Sequence, residues 1–565
     1  LMHRTQVLKH SCKFCHQQLS NLWNKKVHER SCQSTNVQNI VSTDNYETDS
    51  IGGDSVYIEN RVSMNNTFVN KSTLEFSEMI ARNESRGVSA RITDDIIKTV
   101  DRIQRRNEYV NIAQMNTKIK REKLQLQNRK HNVTPIEVKL EDDDGFSRIS
   151  LPDALTLLLS DEKPIYWLQS VIERQSNDNI IRDIIDGHLV RTSRFFNNHP
   201  KSTALVLLFI DEVRLTRKSS FYMVYLTLAN FPSFYRSKLC SIQVVSAIPS
   251  KYIKKYGGAR IWPHILNDFK PFAEHDGVQL IINKTYYQLH AVLLALLSDH
   301  KGAHELLELH TSFSRYCLVH RQEMTSKDRS KFLLRNHDEF NSIANAIEYL
   351  KQLQIYSLSS VYGIKSKSPF SEVPYFDLTK QVPPCIMHTE CEGELKREMC
   401  DLIKYCLNNK LFNLEQFNQE LALQRQELKI TNFVPSHITE KYLNNGDKFI
   451  MNSVELYGIA QLLPSLILVL IPKRSYFTSI YHQSYLSHLA YVKCAMQWEF
   501  SPSSIRQLDN LLDDHFDKYS MAYPGQFRPK SHYVFHYSQF IHLLGPLNGI
   551  STMRYESKHH GQINL

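Results

Sequence analysis

The stretch Ala204–Asp211 reads ALVLLFID, seven apolar residues that run directly into a carboxylate. A continuous apolar run of this length is typical of a β-strand buried on both faces, as in a sheet covered by helices. A second run, Ala291–Asp299, reads AVLLALLSD and ends in the same way. An aspartate at the end of such a strand is held on a rigid element at the sheet edge, which suits a metal ligand.

Further strand-like segments and helical patterns surround these two runs. Strands are predicted over Ser220–Thr227, Cys240–Ile248 and Val278–Ile282, because these segments are rich in β-branched and aromatic residues. Short amphipathic helices are predicted over 151–197, a further helix over 259–272, and mainly helices from 325 to 526. The sequence therefore predicts an α+β fold that is mostly helical, with a sheet core interrupted by a long helical insertion.

Composition sets the broad class of the protein. The 565 residues correspond to about three or four domains at roughly 100–200 residues each. Lysine plus arginine exceed the acidic residues by 68 to 58, a net charge of +10, which weakly favours an anionic partner such as nucleic acid over a merely basic soluble protein. Ten unevenly placed cysteines indicate a reducing compartment, not a disulfide scaffold.

No membrane partner is expected. The most apolar run, Gly458–Ile471, is short for a membrane span, contains Pro464 and reads as a buried helix. No signal peptide is visible at the N-terminus, and a chain that begins with Leu1 is consistent with a fragment.

The N-terminal region has the spacing of a small zinc finger. Cys12 and Cys15 are followed after twelve residues by His28 and then by Cys32. Thiolate and imidazole ligands suit tetrahedral zinc, and the last two residues would share one helix face. We therefore predict a zinc finger over 1–35, a disordered linker over 36–95 and a basic helical segment over 96–150. The basic segment is interpreted either as a solvated helix or as one that follows a phosphate backbone or forms a coiled-coil stalk.

The two strand-ending aspartates suggest a metal site. Carboxylates on neighbouring strands could share two divalent cations about 3.5–4 Å apart, which activate the attacking oxygen and stabilise the leaving oxygen of a phosphodiester. Two carboxylates usually need a third to hold both ions. The alternative is that Asp211 and Asp299 only terminate their strands.

Two short motifs separated by more than 200 residues have the spacing of zinc half-sites. Cys317 and His320 lie in YCLVHR, and His532 and His536 lie four residues apart on a predicted helix. Together they could close one tetrahedral zinc site that fixes the helical insertion to the sheet core. The alternative is that both histidines form hydrogen bonds within a packed helix.

Four blocks of sequence, taken in order, resemble transposases of the CACTA-like superfamily of animal genomes. The blocks are LLFIDEVRLTRKSS (Leu207–Ser220), DHKGAHELLELHTSFSRYCLVH (Asp299–His320), VPPCIMHTECEGEL (Val382–Leu395) and GPLNGISTMRYESKHH (Gly545–His560). The resemblance extends from about residue 151 to the end of the chain. It implies a DDE transposase with a ribonuclease-H-like core, which cuts and joins DNA in the nucleus and acts as a homo-oligomer on double-stranded DNA.

The resemblance also implies roles for individual residues. Asp211, Asp299 and Glu556 become the catalytic triad that holds two Mg²⁺, and Cys317, His320, His532 and His536 become the ligands of one Zn²⁺. Arg554, Lys558 and His559 would lie near DNA phosphates or the metals. The implied domains are a helical lead-in (151–200), the first part of the core (201–324), the helical insertion (325–526) and the segment that completes the core (527–565).

Departures from the family pattern leave alternatives open. Cys385 and Thr389 stand where the family has aspartates, and Glu392 in the same block is a rival for the third carboxylate. A domesticated or decayed descendant that binds DNA or protein without catalysis is therefore the second hypothesis. A third is a zinc-finger regulator with an unrelated helical body, for which Asp211, Asp299 and Glu556 would not cluster.

Overall fold

The computed structural model describes a large part of the chain. Residue contacts divide the chain into two units, Leu1–Glu122 and Lys123–Leu565. In the first unit, the described residues form an antiparallel pair of short strands, β1 (His10–Ser11) and β2 (Gln18–Leu19). In the second unit the described ranges are 133–214, 219–326, 328–352, 357–428, 430, 433–444, 451–471 and 479–557. The predicted finger ligands Cys12, Cys15, His28 and Cys32, the linker over 36–95, and residues Lys558 and His559 lie outside the described residues.

A seven-stranded mixed sheet forms the centre of the second unit. Its strands are β3 (Ile136–Lys139), β4 (Gly145–Arg148), β5 (Thr203–Arg214), β6 (Ser220–Leu228), β7 (Gln243–Pro249), β8 (Val278–Ile282) and β9 (Thr285–Leu297). The order across the sheet is β3-β4-β7-β6-β5-β9-β8. Strands β5, β6 and β7 pair antiparallel, whereas β9 lies parallel to β5. The strands predicted from the apolar runs are confirmed.

The two central parallel strands are buried on both faces, which explains their continuous apolar sequences. On β5, Leu205, Leu207 and Phe209 pack into one core, and the alternate residues Val206 and Leu208 pack into the other. The first core also contains apolar residues from the helices after residue 385. The second contains residues from the helices before and just after the sheet strands. The sheet thus separates two helical layers.

The structure corrects one predicted element. The last part of the segment 96–150, expected to be helical, contains the β3–β4 hairpin. Val138 and Phe146, a registered cross-strand pair, are buried while their neighbours are exposed, so the alternation has the period of a strand. Asp142 and Asp143 adopt positive φ in the turn, a conformation that aspartate tolerates better than most residues.

Helices account for about half of this mixed α/β structure. Those before residue 310 are α1 (Leu151–Leu158), α2 (Glu162–Gln169), α3 (Val171–Arg174), α4 (His188–Arg191), α5 (Arg194–Asn198), α6 (Ser233–Arg236), α7 (Ser250–Tyr256), α8 (Gly258–Ile261), α9 (Pro263–Leu266), α10 (Phe269–Phe272) and α11 (His300–Leu306). Those after it are α12 (His337–Gln352), α13 (Ser357–Tyr362), α14 (Glu394–Asn408), α15 (Leu414–Glu427), α16 (Glu440–Asn444), α17 (Ser453–Leu470), α18 (Ile480–Ala495), α19 (Pro502–Ala522), α20 (Pro529–Val534) and α21 (Tyr537–Leu544). A π-helix spans Met387–Cys391, and a last helical turn covers 553–557.

Helix α17 contains the apolar run that was expected to be a buried helix. Asn452 and Glu455 form a capping box at its start, and Leu456, Ile459 and Leu463 are buried in the first core. Among the described residues, α17 is also the one helix long and apolar enough to cross a membrane, with a mean hydropathy of 1.7 and 44% of its residues buried. Buried core helices meet the same criterion.

Candidate active site at the sheet edge

The two predicted catalytic aspartates follow the last registered pair of two adjacent parallel strands. Phe209 of β5 is in register with Leu297 of β9, and both side chains face the first core. Asp299 lies two residues after Leu297, beyond the end of β9, as predicted. Asp211, predicted to end its strand, instead lies inside β5, which continues to Arg214 because it stays paired with β6. Neighbouring strands lie about 4.8 Å apart, which is close enough for two carboxylates to share metal ions.

Asp299 is fixed in place as the N-cap of α11. Its Oδ1 accepts a hydrogen bond from the backbone N–H of Gly302. A Cβ atom at Gly302 would lie 2.4 Å from the Ser298 hydroxyl and 2.8 Å from Asp299 Oδ1, so a larger residue would displace one or both side chains. This hydrogen bond fixes the direction of the Asp299 side chain immediately after β9 ends.

The third predicted carboxylate, Glu556, lies on the helical turn that packs against β5. The ring of Tyr555 stacks on Phe209 with centroids 4.8 Å apart, two residues before Asp211. Glu556 Oε1 accepts a hydrogen bond from the Thr552 hydroxyl at 3.0 Å. Burial raises the pKa of Glu556 to about 8, against the opposing effect of nearby His388.

His388 lies between the two rival third carboxylates. Its Nε2 is 3.3 Å from Glu556 Oε1 and 3.9 Å from Glu392 Oε2. Burial lowers the pKa of His388, but the charges of Cys385, Glu556 and Glu392 outweigh it and raise the pKa to about 10. The imidazolium therefore counterbalances negative charge at this edge of the sheet. Glu556 and Glu392 both lie beside His388. The stacking of Tyr555 on Phe209 favours Glu556 as the third carboxylate, because it holds the turn that bears Glu556 against β5.

Cys385 and Thr389 connect this site to its surroundings. Burial raises the pKa of the Cys385 thiol, but His388 outweighs it and lowers the pKa to about 7. Cys385 Sγ lies 3.0 Å from the Thr552 hydroxyl. The hydroxyl of Thr389 is 2.7 Å from Nε2 of His300, the first residue of α11. The π-helix is thereby hydrogen-bonded to the helix that follows Asp299.

A cleft of about 290 Å³ opens beside Glu392. The residues that line it carry five cationic and three anionic side chains and are Glu392, Gly393, Glu394, Lys396, Arg397, Cys400, Asp401, Lys404, Gln526, Arg528 and Lys530. Arg397 pairs with Glu394 at 2.5 Å, and the Lys530 amine donates to the His388 carbonyl at 3.2 Å. The excess of cations makes this cleft suitable for phosphate groups next to the carboxylates.

The predicted zinc half-sites come together from opposite ends of the core. Cys317 Sγ lies 3.0 Å from His532 Nε2, which in turn lies 3.3 Å from His536 Nε2. All three residues are buried, and their ligand atoms lie within 4.8 Å of one another. His536 Nδ1 lies 3.2 Å from Gln539 Oε1, an outer contact of the kind that orients metal-bound histidines.

The charge state of this group fits a metal. Burial lowers the pKa of His532 to about 2 and that of His536 to about 4, so both imidazoles are neutral, which is the ligand form. Burial raises the pKa of the Cys317 thiol to about 11, so a thiolate there requires a bound cation. One thiolate and two imidazoles are a donor set that suits zinc.

His320, the fourth predicted ligand, is not part of this group. Its Nδ1 accepts a hydrogen bond from the backbone N–H of Gln322 at 3.4 Å, and its ring contacts Phe313 edge-on at 4.9 Å. His320 pairs with Phe313 in an isolated β-bridge, whereas Cys317 pairs with Leu334. Three of the four predicted ligands are therefore brought together.

Of the three residues predicted to lie near DNA phosphates, the structure describes Arg554. Arg554 is exposed on the final helical turn, on the residue before the stacked Tyr555. It is therefore accessible to a phosphate.

A second buried group was not predicted from the sequence. Glu398, His488 and His515 have ligand atoms within 4.8 Å of one another in the helical insertion. Each comes from a different helix and stands alone in its local sequence, so no spacing motif marks the group. One signal was present: Glu390, Glu394 and Glu398 recur every four residues, a spacing that would place three carboxylates on one face of a continuous helix. In the structure Glu394 and Glu398 share α14, whereas Glu390 lies on the preceding π-helix.

No protein-family model matches this sequence, and a search of curated proteins finds no significant match.

Proposed function

We propose that this protein is a DDE-type DNA transposase that cuts and joins phosphodiesters with two divalent metal ions. The observation that carries the proposal is that Asp211 and Asp299 each lie two residues after Phe209 and Leu297, the last registered pair of two adjacent parallel strands. The turn that bears Glu556 packs on the same strand through Tyr555. Carboxylate oxygens on rigid neighbouring elements are suitable ligands for Mg²⁺.

The strand arrangement supports a ribonuclease-H-like core. Three consecutive antiparallel strands, β5, β6 and β7, are followed by β9, which returns parallel to the first. In this arrangement the first strand, β5, lies beside the returning strand, β9, which supports a shared metal site for Asp211 and Asp299. The helices after residue 325 then correspond to an insertion before the segment that carries Glu556.

The residues of the site have distinct roles in this proposal. Asp211, Asp299 and Glu556 would hold two Mg²⁺, which activate the attacking oxygen and stabilise the leaving oxygen. His388 neutralises Glu556 and orients its carboxylate at 3.3 Å. Arg554 and the cationic cleft beside Glu392 would bind DNA phosphates. No covalent intermediate between protein and DNA is needed.

Zinc would have a structural role. Cys317, His532 and His536 would bind one Zn²⁺ and join the segment after Asp299 to α20, because the ligand atoms are close together and buried. A second Zn²⁺ is proposed for the finger formed by Cys12, Cys15, His28 and Cys32, which would help to recognise DNA ends. A nuclear location and a homo-oligomer on double-stranded DNA complete the proposal.

A DNA-binding descendant without catalysis is the second candidate. The pairing of Glu556 with His388, together with the burial that holds the pKa of Glu556 near 8, favours it, since a protonated carboxyl is a poor metal ligand. Cys385 and Thr389, which stand where the family has aspartates, point in the same direction.

The test is a DNA cleavage assay with matched carboxylate variants. The full chain is incubated with Mg²⁺ or Mn²⁺ and DNA that carries the sequences flanking its gene. Wild type is expected to nick the DNA, and Asp211→Asn and Asp299→Asn are expected to lower the rate by at least about 100-fold, as expected when transition-state stabilisation is lost. Glu212→Gln is the control, because Glu212 is next to Asp211 but accepts from Ser220 on the opposite face of β5.

A binding measurement separates the two candidates. Mn²⁺ titration should show two bound ions in wild type and a loss of binding in Asp299→Asn. DNA binding without nicking by wild type would support the descendant without catalysis. Equal nicking by wild type and Asp299→Asn would overturn the proposed active site.

A further inference from the structure

The second buried group lies where three helices of the insertion meet. Glu398 comes from α14, His488 from α18 and His515 from α19. Their side chains are between 0% and 4% exposed, so the group is closed to bulk water. Glu398 Oε2 contacts His488 Nδ1 and lies 3.7 Å from His515 Nε2. Three donor atoms thus converge on one small volume.

Each of the three side chains also makes a polar contact with a residue outside the group. His488 Nε2 lies 3.1 Å from Glu390 Oε2, and His515 Nδ1 lies 3.2 Å from the Ser484 carbonyl. Glu398 Oε1 accepts a hydrogen bond from the Ser484 hydroxyl at 2.6 Å. Metal-bound histidines usually donate their other N–H to a carboxylate or carbonyl, and metal-bound carboxylates are themselves hydrogen-bonded. The group has this pattern at all three positions.

Glu390 is in turn fixed by two hydroxyl groups. Tyr537 donates to its Oε1 and Tyr491 to its Oε2, each at 3.0 Å. Both tyrosines are buried. A carboxylate held in this way is suited to accept a hydrogen bond from the Nε2–H of His488, which leaves Nδ1 as the ligand atom.

We propose that Glu398, His488 and His515 bind a divalent transition-metal ion, with zinc the expected occupant. Two neutral imidazoles and one carboxylate are a donor set found for zinc and for iron(II), whereas Mg²⁺ and Ca²⁺ take oxygen ligands. The three donor atoms lie within 4.8 Å of one another, which is close enough for one ion to contact all three. The ion would join α14, α18 and α19 at one point.

The proposed ion is connected to the carboxylate site through the π-helix. Glu390, the outer partner of His488, belongs to the same π-helix as His388 and Thr389. His388 contacts Glu556, and Thr389 contacts His300. A metal at this point would fix the π-helix and with it the histidine beside the carboxylates. This inference does not depend on the DNA chemistry proposed above.

The test is the metal content of the purified full chain, measured by inductively coupled plasma mass spectrometry for manganese through zinc. Relative to wild type, His515→Gln and Glu398→Gln are each expected to lose about one metal ion per chain. His482→Gln is the matched control, since His482 is also buried on α18 but is outside the group. Cys317→Ser should lose a different ion, so that Cys317→Ser/His515→Gln loses two.

A measurement on the wild-type protein tests the proposal even if the variants do not fold. Anomalous diffraction from crystals of the full chain, recorded above and below the absorption edge of the metal found, should give a peak between the Glu398 carboxylate and the two imidazoles. No peak there, or an unchanged metal content in folded His515→Gln, would overturn the proposal. In that case the group would be a proton-balanced hydrogen-bond network.

Discussion

The two buried histidine groups differ in how they are encoded. The first group, Cys317, His532 and His536, is built from two short motifs whose members are three or four residues apart, and the structure brings three of the four motif residues together. The second group, Glu398, His488 and His515, is built from single residues on three helices. Local spacing therefore marked the first group and gave no indication of the second.

The difference has a physical cause. Two ligands on one turn of a helix are neighbours whatever the rest of the chain does, because residues four apart share a face. Ligands on three separate helices meet only when the packing of those helices is known. The second group therefore depends on long-range packing. Removal of one of its members should disturb the others more than it would in the first group.

The largest effect is expected for Glu398→Ala. Removal of this buried carboxylate leaves the cation that faces it, the bound ion or a protonated His488, without its main partner, and breaking a buried charged pair costs about 3–5 kcal/mol. We expect the free energy of unfolding to fall by that amount in urea denaturation followed by circular dichroism. Glu427→Ala, an exposed glutamate near the end of α15, should stay within about 0.5 kcal/mol. A loss below about 1 kcal/mol for Glu398→Ala would contradict the dependence inferred for this group.

A smaller effect is expected where one hydrogen bond to the group is removed. Tyr537→Phe deletes the hydroxyl that donates to Glu390 at 3.0 Å, and a hydrogen bond to a charged group contributes about 1.5–3 kcal/mol. Tyr523→Phe is the matched control, because the buried Tyr523 hydroxyl has no hydrogen-bond partner among the described residues. Its removal should be nearly neutral. The same urea experiment applies, and equal losses for both variants would show that the outer contacts of Glu390 do not matter.

The sheet was largely predictable from sequence because its strands carry local signals. The apolar runs that end in Asp211 and Asp299 gave both the strands and their buried position, since a parallel strand covered on both faces is apolar throughout. The hairpin of β3 and β4 was missed because its strands have four residues each and follow a long basic stretch. Each of these short strands has one buried residue, Val138 or Phe146, and both are buried in the second core, which is built from distant segments of the chain.

The candidate site was predictable in part for the same reason. Asp211 and Asp299 were identified because each follows an apolar run, but the position of His388 between Glu556 and Glu392 depends on where the π-helix packs. Glu556 itself was inferred from resemblance alone. What places it is the stacking of Tyr555 on Phe209, a contact between residues more than 300 positions apart in the sequence.

The smallest effect is expected for a substitution of His320, and its result would show which residues of the first group bind the metal. If Cys317, His532 and His536 hold the zinc without His320, then His320→Gln should retain the full metal content while Cys317→Ser loses one ion per chain. His320 is partly exposed and contacts Phe313 only at its edge, so the free energy of unfolding should change by no more than about 1 kcal/mol. A comparison of the metal content of His320→Gln and Cys317→Ser shows whether His320 is a ligand. Loss of one ion in His320→Gln would mean that the loop from Ser314 turns inward when zinc binds, and that all four motif residues are ligands.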